Sequence, residues 1–495
     1  MLALIPAGIG CGRGVVYVLV PLSGLDQRCF MSMTATAQWA ALPDHSAEIA
    51  RVREEFITAY GYEPDGVWSA PGRLNLLGEY IDFLGGSCLP MPLPYRTYIA
   101  GALRRDGVLR ASSLQMPGDE RTVVIRDIQP GHLKGWFTYV AGVAWAMNQE
   151  GGRDIMLPDE FGADLLINSR VPVGGGLSSS AALECSTALA LLELSCPVRQ
   201  GCPQADTTPA DSDALRARLA QVCITAENKV AGAHTGGLDQ TASLRSYPEQ
   251  ALVIDFRDFS IEPVAVDIAQ HGLSFLVIDT NTPHELTDGG FAARRAASET
   301  CADALGLRFL RDALPEDLSC AGMDARAAKA WRADLVDSSV NRALDALEDA
   351  GRPCSFPRGW VRHAFHDMTL VGRASYLLQH ADELGFAAFE EAGRIFTESF
   401  VSMRDELRVS RPEIDDAVQV CLDRGALGAR IVGGGFGGAV MALIPTSQLE
   451  AAADAVATAY AVRGYAAPRF LPMVAGFAAS HDWAAGAAPT DIPVL

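Results

Sequence analysis

VPVGGGLSSSAALE, residues 171–184, is the most informative part of the sequence, because a run of glycines leads through three serines into a predicted helix. Three glycines at 174–176 allow the backbone to approach a ligand closely, and the alanine and leucine residues after the serines predict a helix. The free N–H groups and the positive dipole end of a helix N-terminus attract anions. The stretch therefore predicts a nucleotide triphosphate site, formed by Gly174, Gly175, Gly176, Leu177, Ser178, Ser179 and Ser180.

The serines of this phosphate loop have different expected roles. Ser178 is the expected N-cap, and the hydroxyls of Ser179 and Ser180 are expected to reach phosphate or Mg²⁺. No GxxxxGK[ST] motif occurs at the junction, and no lysine follows the glycines, so the loop is not of the Walker type. For this motif alone, an ordinary strand, loop and helix with a capping serine is the alternative interpretation.

A second block, APGRLNLLGEYIDFLGG at residues 70–86, contains dense polar groups in an apolar frame. Carboxylates such as Glu79 and Asp82 accept hydrogen bonds from sugar hydroxyls, and an arginine such as Arg73 can stabilise negative charge on a reacting oxygen. The block therefore favours a hydroxyl-rich ligand. A hairpin with solvated charges is the alternative when the block is considered alone.

A third block, AENKVAGAHTGGLDQ at residues 226–240, contains two acids that suit phosphoryl transfer. Asp239 follows a glycine-containing loop and is the candidate base for a hydroxyl nucleophile, and Glu227 has the chemistry to ligate Mg²⁺. As isolated acids, both are more often surface residues. Near the end of the chain, five glycines within residues 433–438 lie between apolar runs that predict two buried strands.

Together these blocks resemble the GHMP small-molecule kinases, and residues 70–86 are similar to the galactokinase signature GRxNLIGExxDxxGG. The motifs follow the order of that family, and the similarity continues through segments such as GWFTYVAGVAWAM, RHAFHDM and SMRDELRVSRPEIDDAV. The resemblance implies an α+β, two-lobed GHMP kinase fold with the active site in the cleft between the lobes. It also implies ATP-dependent phosphorylation of the C1 hydroxyl of galactose.

The resemblance also implies roles for individual residues. Asp239 is the implied catalytic aspartate and Arg73 its positively charged partner, while Ser180 and Glu227 are the implied Mg²⁺ ligands, with Ser179 as an equal alternative. The loop of residues 174–180 is implied to wrap the phosphates of ATP. The implied sugar-contacting residues are Glu79, Tyr80, Asp82 and Phe291.

Three departures from the family pattern leave the exact sugar open. Tyr80 stands where galactokinases have histidine, and Phe291 and Phe83 replace tyrosines. One alternative is therefore a GHMP kinase for N-acetylgalactosamine, galacturonate or arabinose. The other alternative is a non-catalytic sugar and ATP sensor, in which residues of the serine-alanine stretch are expected to be lost; Ser180 and Ala181 are both retained here.

Composition limits the other possibilities. Hydrophobic residues form 49% of the 495 residues, which is enough for two packed lobes. The formal net charge of −20, with 60 acidic against 40 basic residues, argues against a nucleic-acid partner. Eleven cysteines without a CxxC pair favour a reducing cytoplasm, and no apolar run is long enough to span a membrane. We expect a cytoplasmic monomer or weak oligomer that binds only a sugar and ATP.

The domain boundaries follow from where the similarity begins and from breaks in the pattern. The family-like region begins near residue 45, so the preceding residues are an expected extension that is not native if Met31 or Met33 is the true start. The lobe boundary is placed after the predicted strand ALVIDF. The predicted divisions are 1–44 for the extension, 45–258 for the N-terminal lobe with the phosphate loop, 259–485 for the C-terminal lobe, and 486–495 for the tail.

Overall fold

The computed structural model is a mixed assembly of helices and mostly antiparallel sheets, which confirms the α+β prediction. It describes residues 2–6, 17–21, 35–150, 152, 154–196, 212–233, 235–282, 290–352, 354–474 and 476–486. The strands in chain order are β1 (Leu2–Pro6), β2 (Tyr17–Pro21), β3 (Gln38–Trp39), β4 (Gly66–Asn75), β5 (Ser87–Cys88), β6 (Pro90–Arg104), β7 (Val108–Ser113), β8 (Arg121–Val124), β9 (Gly162–Ser169), β10 (Gln250–Asp255), β11 (Ser260–Ala265), β12 (Leu273–Asp279), β13 (Gly428–Val432), β14 (Ala439–Pro445), β15 (Arg469–Leu471) and β16 (Ser480–Ala484).

The helices connect these strands and cover their faces. They are α1 (His45–Tyr60), α2 (Phe137–Glu150), α3 (Ser179–Ser195), α4 (Asp213–Ala226), α5 (Leu238–Arg245), α6 (Gly290–Ala304), α7 (Ala325–Asp349), α8 (Arg358–Gln379), α9 (Ala381–Leu384), α10 (Phe386–Ser402), α11 (Pro412–Asp423) and α12 (Leu449–Arg463). Short π-helical turns, Glu227–Ala231 and Met403–Leu407, extend α4 and α10. Within the described ranges, no helix has the length and apolar character needed to cross a lipid bilayer.

A six-stranded sheet with the order β16-β4-β6-β9-β7-β8 forms the scaffold of the phosphate loop. Every residue of β4 is buried, and α3 packs against both β4 and β6. The residues of α3 are buried almost all around the helix, as expected for a helix enclosed in the core. The sheet and α3 together fix the loop that precedes the helix.

A five-stranded sheet with the order β13-β14-β12-β15-β3 carries the second glycine loop. The strands β13 and β14 pair antiparallel on either side of residues 433–438, which confirms the two buried strands predicted there. Their apolar residues pack with α11 and α12. The glycine-rich turn is therefore anchored by a buried hairpin.

The sheets draw strands from distant parts of the chain. The terminal strand β16 pairs with β4, while β3 near the start of the described chain pairs with β15. The predicted lobe boundary at Asp258 falls in the turn between β10 and β11, which pair with each other and belong to one three-stranded sheet with β5. The continuous ranges 45–258 and 259–485 therefore do not correspond one-to-one to the sheets.

Candidate active site

One cavity of about 580 Å³ brings together the three polar blocks and the second glycine loop. Its wall includes Ala292, Gly433 and Gly434 from the later half of the chain. Gly175 does not line the cavity. A Cβ atom at this glycine would lie 3.7 Å from Cγ of Asp279. The residues predicted for the site that line this cavity are Arg73, Glu79, Tyr80, Asp82, Gly174, Gly176, Leu177, Ser178, Ser179, Ser180, Glu227 and Asp239.

Arg73 joins the candidate base to the phosphate loop. It lies in β4 at an irregularity in the pairing with β6, and its guanidinium is almost fully buried. Its Nη2 is 2.9 Å from Oδ1 of Asp239, and its Nη1 donates a hydrogen bond of 2.5 Å to the carbonyl oxygen of Gly176. The cation is thus held where a carboxylate and phosphate groups would meet.

Asp239 is placed in the first turn of α5 and remains partly open to the cavity, with its side chain 26% exposed. The preceding Leu238 is buried in the core and fixes the helix start. The acid predicted as the catalytic base therefore points into the cavity beside Arg73. Burial of the neighbouring Asp82 raises the pKa of that carboxyl to about 6, although hydrogen bonds from backbone N–H groups of Phe83 and Leu238 oppose the shift.

Gly236 makes the close packing of Asp82 possible. A Cβ atom at this glycine would lie 1.7 Å from Oδ2 of Asp82, a distance that no side chain can occupy. The glycine therefore lets the loop before α5 pass directly over the carboxylate. Gly236 is thus a functional residue that the sequence pattern does not predict, because the glycine content of the loop alone does not show what packs against it.

Glu79 is held in position by groups from distant elements. Its Oε1 accepts a hydrogen bond of 2.8 Å from the N–H of Gly433 and lies 3.9 Å from Nη2 of the fully buried Arg430. Its backbone oxygen is 3.1 Å from Nε2 of His363, which must be the donor because a carbonyl can only accept. Burial lowers the pKa of His363, so the imidazole is neutral, and its Nδ1 accepts from Ser402.

A second buried acid, Asp367, holds the backbone next to Glu79 in place. Asp367, one turn after His363 on α8, accepts a hydrogen bond of 3.1 Å from the N–H of Gly78 and one of 2.5 Å from Ser399. His363 and Asp367 both lie in the RHAFHDM segment, residues 362–368. Two polar side chains of α8 therefore fix the backbone at Gly78 and Glu79.

Tyr80 connects the sugar-side block to the second glycine loop. Its hydroxyl donates a hydrogen bond to the carbonyl oxygen of Gly434, and its side chain is buried. Its backbone is left-handed with φ +66°, which is costly for a bulky residue. The phenol that replaces the family's histidine therefore reaches across the cavity wall to a backbone group.

The phosphate loop has the backbone that its glycines predict. Gly174 and Gly176 have φ +78° and +68°, and Ser178 is left-handed with φ +62°. The helix α3 begins at Ser179, so Ser178 stands at the N-cap, but its side chain makes no capping hydrogen bond. Its buried Oγ has no partner among the described residues. The capping role predicted for Ser178 is thus not seen, although Ser178, Ser179 and Ser180 all line the cavity.

Two buried carboxylates lie beside this loop. Oε2 of Glu227 accepts hydrogen bonds of 2.7 Å from both Thr235 and Gln240, and Ser180 also bonds to Glu227. Glu184 shares Gln240 at 3.0 Å, but its Oε1 has no partner among the described residues. Burial is the main cause that raises the pKa of both acids.

These acids and hydroxyls suit a magnesium ion. A buried, incompletely bonded carboxylate pair leaves negative charge that a divalent cation would offset. Mg²⁺ usually takes only one or two protein oxygens and completes its shell with water and phosphate. The described ranges contain no cluster of three or more His, Cys, Asp or Glu side chains that could hold a metal ion by themselves.

Phe291 and Phe83 are the two phenylalanines that depart from the family pattern. Phe291 belongs to the first turn of α6, but its side chain lies outside the described part of the structure. The predicted sugar contact at Phe291 therefore stays a prediction. Phe83 is partly buried against the core, and the guanidinium of Arg295 lies 5.0 Å from its ring centroid.

Comparison with protein families gives three matches along the chain. Residues 54–103 match the galactokinase galactose-binding signature, residues 138–247 match the GHMP kinase N-terminal domain, and residues 362–462 match the GHMP kinase C-terminal domain. The first match contains Arg73 and Asp82, and the second contains the phosphate loop and Asp239. The matched segments therefore include every block that lines the cavity before residue 247.

Individual relatives agree with these matches. The chain is 36% identical over 423 residues to the galactokinase of Streptomyces coelicolor, covering 86% of this chain and 96% of that protein. It is 33% identical over 413 residues to a human galactokinase, covering 82% and 90%. The fold is similar to that of Lactococcus lactis galactokinase complexed with galactose, with a TM-score of 0.70, 23% identity, and coverage of 88% and 100%. The chain therefore belongs to the galactokinase family of the GHMP kinases.

Proposed function

We propose that this enzyme, which phosphorylates galactose with ATP, transfers the γ-phosphoryl group to the C1 hydroxyl by using Asp239 and Arg73. The observation that carries the proposal is the 2.9 Å pair between these residues in a cavity walled by both the phosphate loop and Glu79. A base, a cation and an anion-binding helix start converge there. Phosphoryl transfer depends mainly on such positioning and charge stabilisation.

In this proposal Asp239 accepts the proton of the sugar hydroxyl. The resulting oxygen forms a bond to the γ-phosphorus, the bond from that phosphorus to the β,γ-bridging oxygen breaks, and ADP leaves with the electron pair. Arg73 is placed to offset the negative charge that develops on the attacking oxygen and the transferring phosphoryl group. Glu79 and Asp82 accept hydrogen bonds from the other hydroxyls of the sugar.

The phosphate loop and the neighbouring acids would hold the nucleotide and its metal. The N–H groups at the start of α3 suit the phosphates, and Ser180 with Glu227 would hold Mg²⁺. When bound, this ion supplies positive charge that reduces repulsion between the phosphates and the attacking oxygen. The orphaned Oε1 of Glu184 makes this acid a further candidate for the outer shell of the ion.

One specific observation keeps a related sugar as the second candidate. Tyr80 stands where galactokinases have histidine, and its hydroxyl donates a hydrogen bond to the carbonyl oxygen of Gly434. The cavity wall next to Glu79 therefore differs in shape and hydrogen-bonding capacity from a wall with histidine at this position. Galacturonate is disfavoured because its carboxylate would face the acids Glu79 and Asp82. A non-catalytic sensor is disfavoured because Ser180, Ala181, Asp239 and Arg73 are all present.

The test is a sugar panel with the purified full chain and Mg-ATP. ADP release is followed with galactose, N-acetylgalactosamine, galacturonate and arabinose, and the position of the new phosphate is read from ³¹P and ¹³C NMR couplings. We expect release with galactose and a product phosphorylated at C1. Release with another sugar but not with galactose would overturn the proposed specificity, and no sugar-dependent release would support the sensor.

A further inference from the structure

A second cavity of about 700 Å³ lies among α7, α8 and α10. It shares no lining residue with the active-site cavity. Its wall combines buried and exposed cations with an apolar surface. Neither the phosphoryl transfer nor the sugar contacts described above use these residues.

Arg332 is the central polar group of this cavity. Its residue is 3% exposed, and its Nη2 donates a hydrogen bond of 3.1 Å to Oε2 of Glu398. Its Nε and Nη1 are buried without a hydrogen-bond partner among the described residues. Leaving the donors of a buried charged group unpaired is costly, so these two atoms mark a place where an acceptor is missing.

The acids in the wall are already bonded to cations. Glu398 pairs with both Arg332 and Lys329, at 3.1 Å and 2.5 Å. The remaining acids pair with arginines, and these pairs are Glu391 with Arg373, Asp405 with Arg404, and Glu406 with Arg362. The wall therefore presents no carboxylate that would repel an incoming anion without a cation beside it.

Two further groups add hydrogen-bonding capacity. Arg394 lies on α10 at the cavity, its side chain is exposed, and no ion pair to it occurs in the described part of the chain. Burial lowers the pKa of His366 to about 4, so its imidazole is neutral and can donate one hydrogen bond. Arg332, Arg394 and His366 thus place hydrogen-bond donors in the wall of the cavity.

The other side of the cavity is apolar. Ile395, Leu422 and Leu427 line it together with Val401, which is 41% exposed although it is a large hydrophobic residue. Removing such a surface from water favours a ligand with an apolar body. A free phosphate or a fully polar metabolite would leave this wall wet.

We propose that this cavity binds a small organic anion, whose carboxylate or phosphate group accepts hydrogen bonds from Arg332 and whose apolar body covers Val401. Arg394 also lines the cavity and would provide the second cation, because guanidinium groups pair well with planar carboxylates. The site is separate from the catalytic cavity, so it can be occupied while sugar and ATP are bound.

The proposal is tested with the full chain and a matched pair of probes, benzoate and its neutral counterpart benzamide. Binding is measured by titration calorimetry and by saturation-transfer NMR at constant ionic strength. We expect benzoate to bind about tenfold or more tightly than benzamide, because hydrogen bonds to a charged partner are lost with the amide. Equal binding of the two probes, or no binding of benzoate at about 10 mM, a concentration that corresponds to a very weak complex, would overturn the proposal.

Variants locate the binding event. Arg332→Gln should abolish the preference for benzoate, and Val401→Glu, at an exposed position that does not support the core, should repel benzoate without unfolding the protein. Arg51→Gln, a change of an exposed arginine on α1, is the matched control and should keep the preference. A preference unchanged in both Arg332→Gln and Val401→Glu would place the binding elsewhere and refute the site.

Discussion

The guanidinium of Arg73 lies 2.9 Å from the carboxylate of Asp239 and at the same time donates a hydrogen bond to the carbonyl oxygen of Gly176. One side chain therefore fixes the distance between the candidate base and the phosphate loop. Since Arg73 is buried in β4, this distance is set by the sheet and not by a surface loop.

Replacement of Arg73 by glutamine should remove charge stabilisation and keep part of the hydrogen bonding. We expect kcat to fall by about 10²–10³-fold, the range found when a preorganised donor is removed from a transition state. The KM for ATP should change much less, because the helix N-terminus still binds phosphate. Steady-state kinetics with both substrates check this, with Arg51→Gln as a surface control; a kcat within about twofold of the unaltered enzyme would contradict the role, since that is under 0.5 kcal/mol.

Asp82 should make sugar binding depend on pH. Burial raises the pKa of its carboxyl to about 6, and only the ionised form is a pure acceptor for sugar hydroxyls. We expect the KM for galactose to rise as the pH falls below 6, whereas Asp82→Asn should show a higher KM with no such dependence. A pH profile of KM between 5 and 8 measures this, and parallel profiles for the two proteins would contradict it.

The raised pKa of Asp82 also makes the stability of the folded protein depend on pH. Because the folded-state pKa lies above that of an exposed aspartate, about 3.9, the folded state binds the proton more tightly than the unfolded state. The stabilisation is present below pH 4 and is lost as the pH rises through 6. Asp82→Asn should therefore be more stable than the unaltered protein at pH 7, by about 1–2 kcal/mol, and this gain should vanish near pH 4 in thermal denaturation. A variant that is less stable at pH 7 would contradict the sign.

Tyr80→Phe tests the contact between the sugar-side block and the second glycine loop. Loss of the hydrogen bond to Gly434 should lower the free energy of unfolding by about 1 kcal/mol and raise the KM for galactose more than it lowers kcat. Tyr95→Phe is the matched control, because within the described part of the chain the Tyr95 hydroxyl makes one long hydrogen bond of 3.5 Å, to the carbonyl oxygen of Pro472 outside the site. Equal effects of the two variants on KM would show that Tyr80 does not shape the sugar site.

Two neighbouring glycines of the phosphate loop should differ in their tolerance of a side chain. A Cβ at Gly176 would lie 2.8 Å from the carbonyl oxygen of Val432, and its φ of +68° strains any other residue. We expect Gly176→Ala to destabilise the protein by about 2 kcal/mol or more. At Gly175 the nearest atom would be 3.7 Å away, so Gly175→Ala should cost less than about 0.5 kcal/mol. Urea denaturation measures both, and similar losses would contradict this packing of the two glycine loops.

The phosphate loop, the glycine hairpin and the meeting of Arg73 with Asp239 could be predicted from the sequence. Glycines before a helix and between apolar strands encode the loop and the hairpin locally, whereas the meeting of Arg73 with Asp239 follows only from the family resemblance, which relates the blocks to one another. Both Arg73 and Asp239 line the cavity, 2.9 Å apart, and their catalytic roles stay predictions. Ser178 occupies the predicted N-cap position without capping the helix, since its left-handed backbone turns the hydroxyl away.

The supports of the site could not be predicted, because they depend on contacts between distant residues. His363 and Asp367 hold the backbone at Glu79 and Gly78 from almost three hundred residues away. The pairing of β16 with β4 likewise joins strands that are about four hundred residues apart in the chain. These contacts leave no periodic pattern in the sequence. An aspartate on a helix is usually a surface residue, so its sequence position does not predict a buried support.

The kinetics of Asp239→Asn test whether Asp239 is the group that accepts the proton of the sugar hydroxyl. Asparagine keeps the size of the side chain and cannot accept the proton, so we expect kcat to fall by about 10²–10⁴-fold, the usual contribution of a general base. Binding of Mg-ATP, measured by calorimetry on the same sample, should stay within about threefold, less than 1 kcal/mol. A variant with near-normal kcat would contradict the account, because Asp239 would then not be the group that receives the proton.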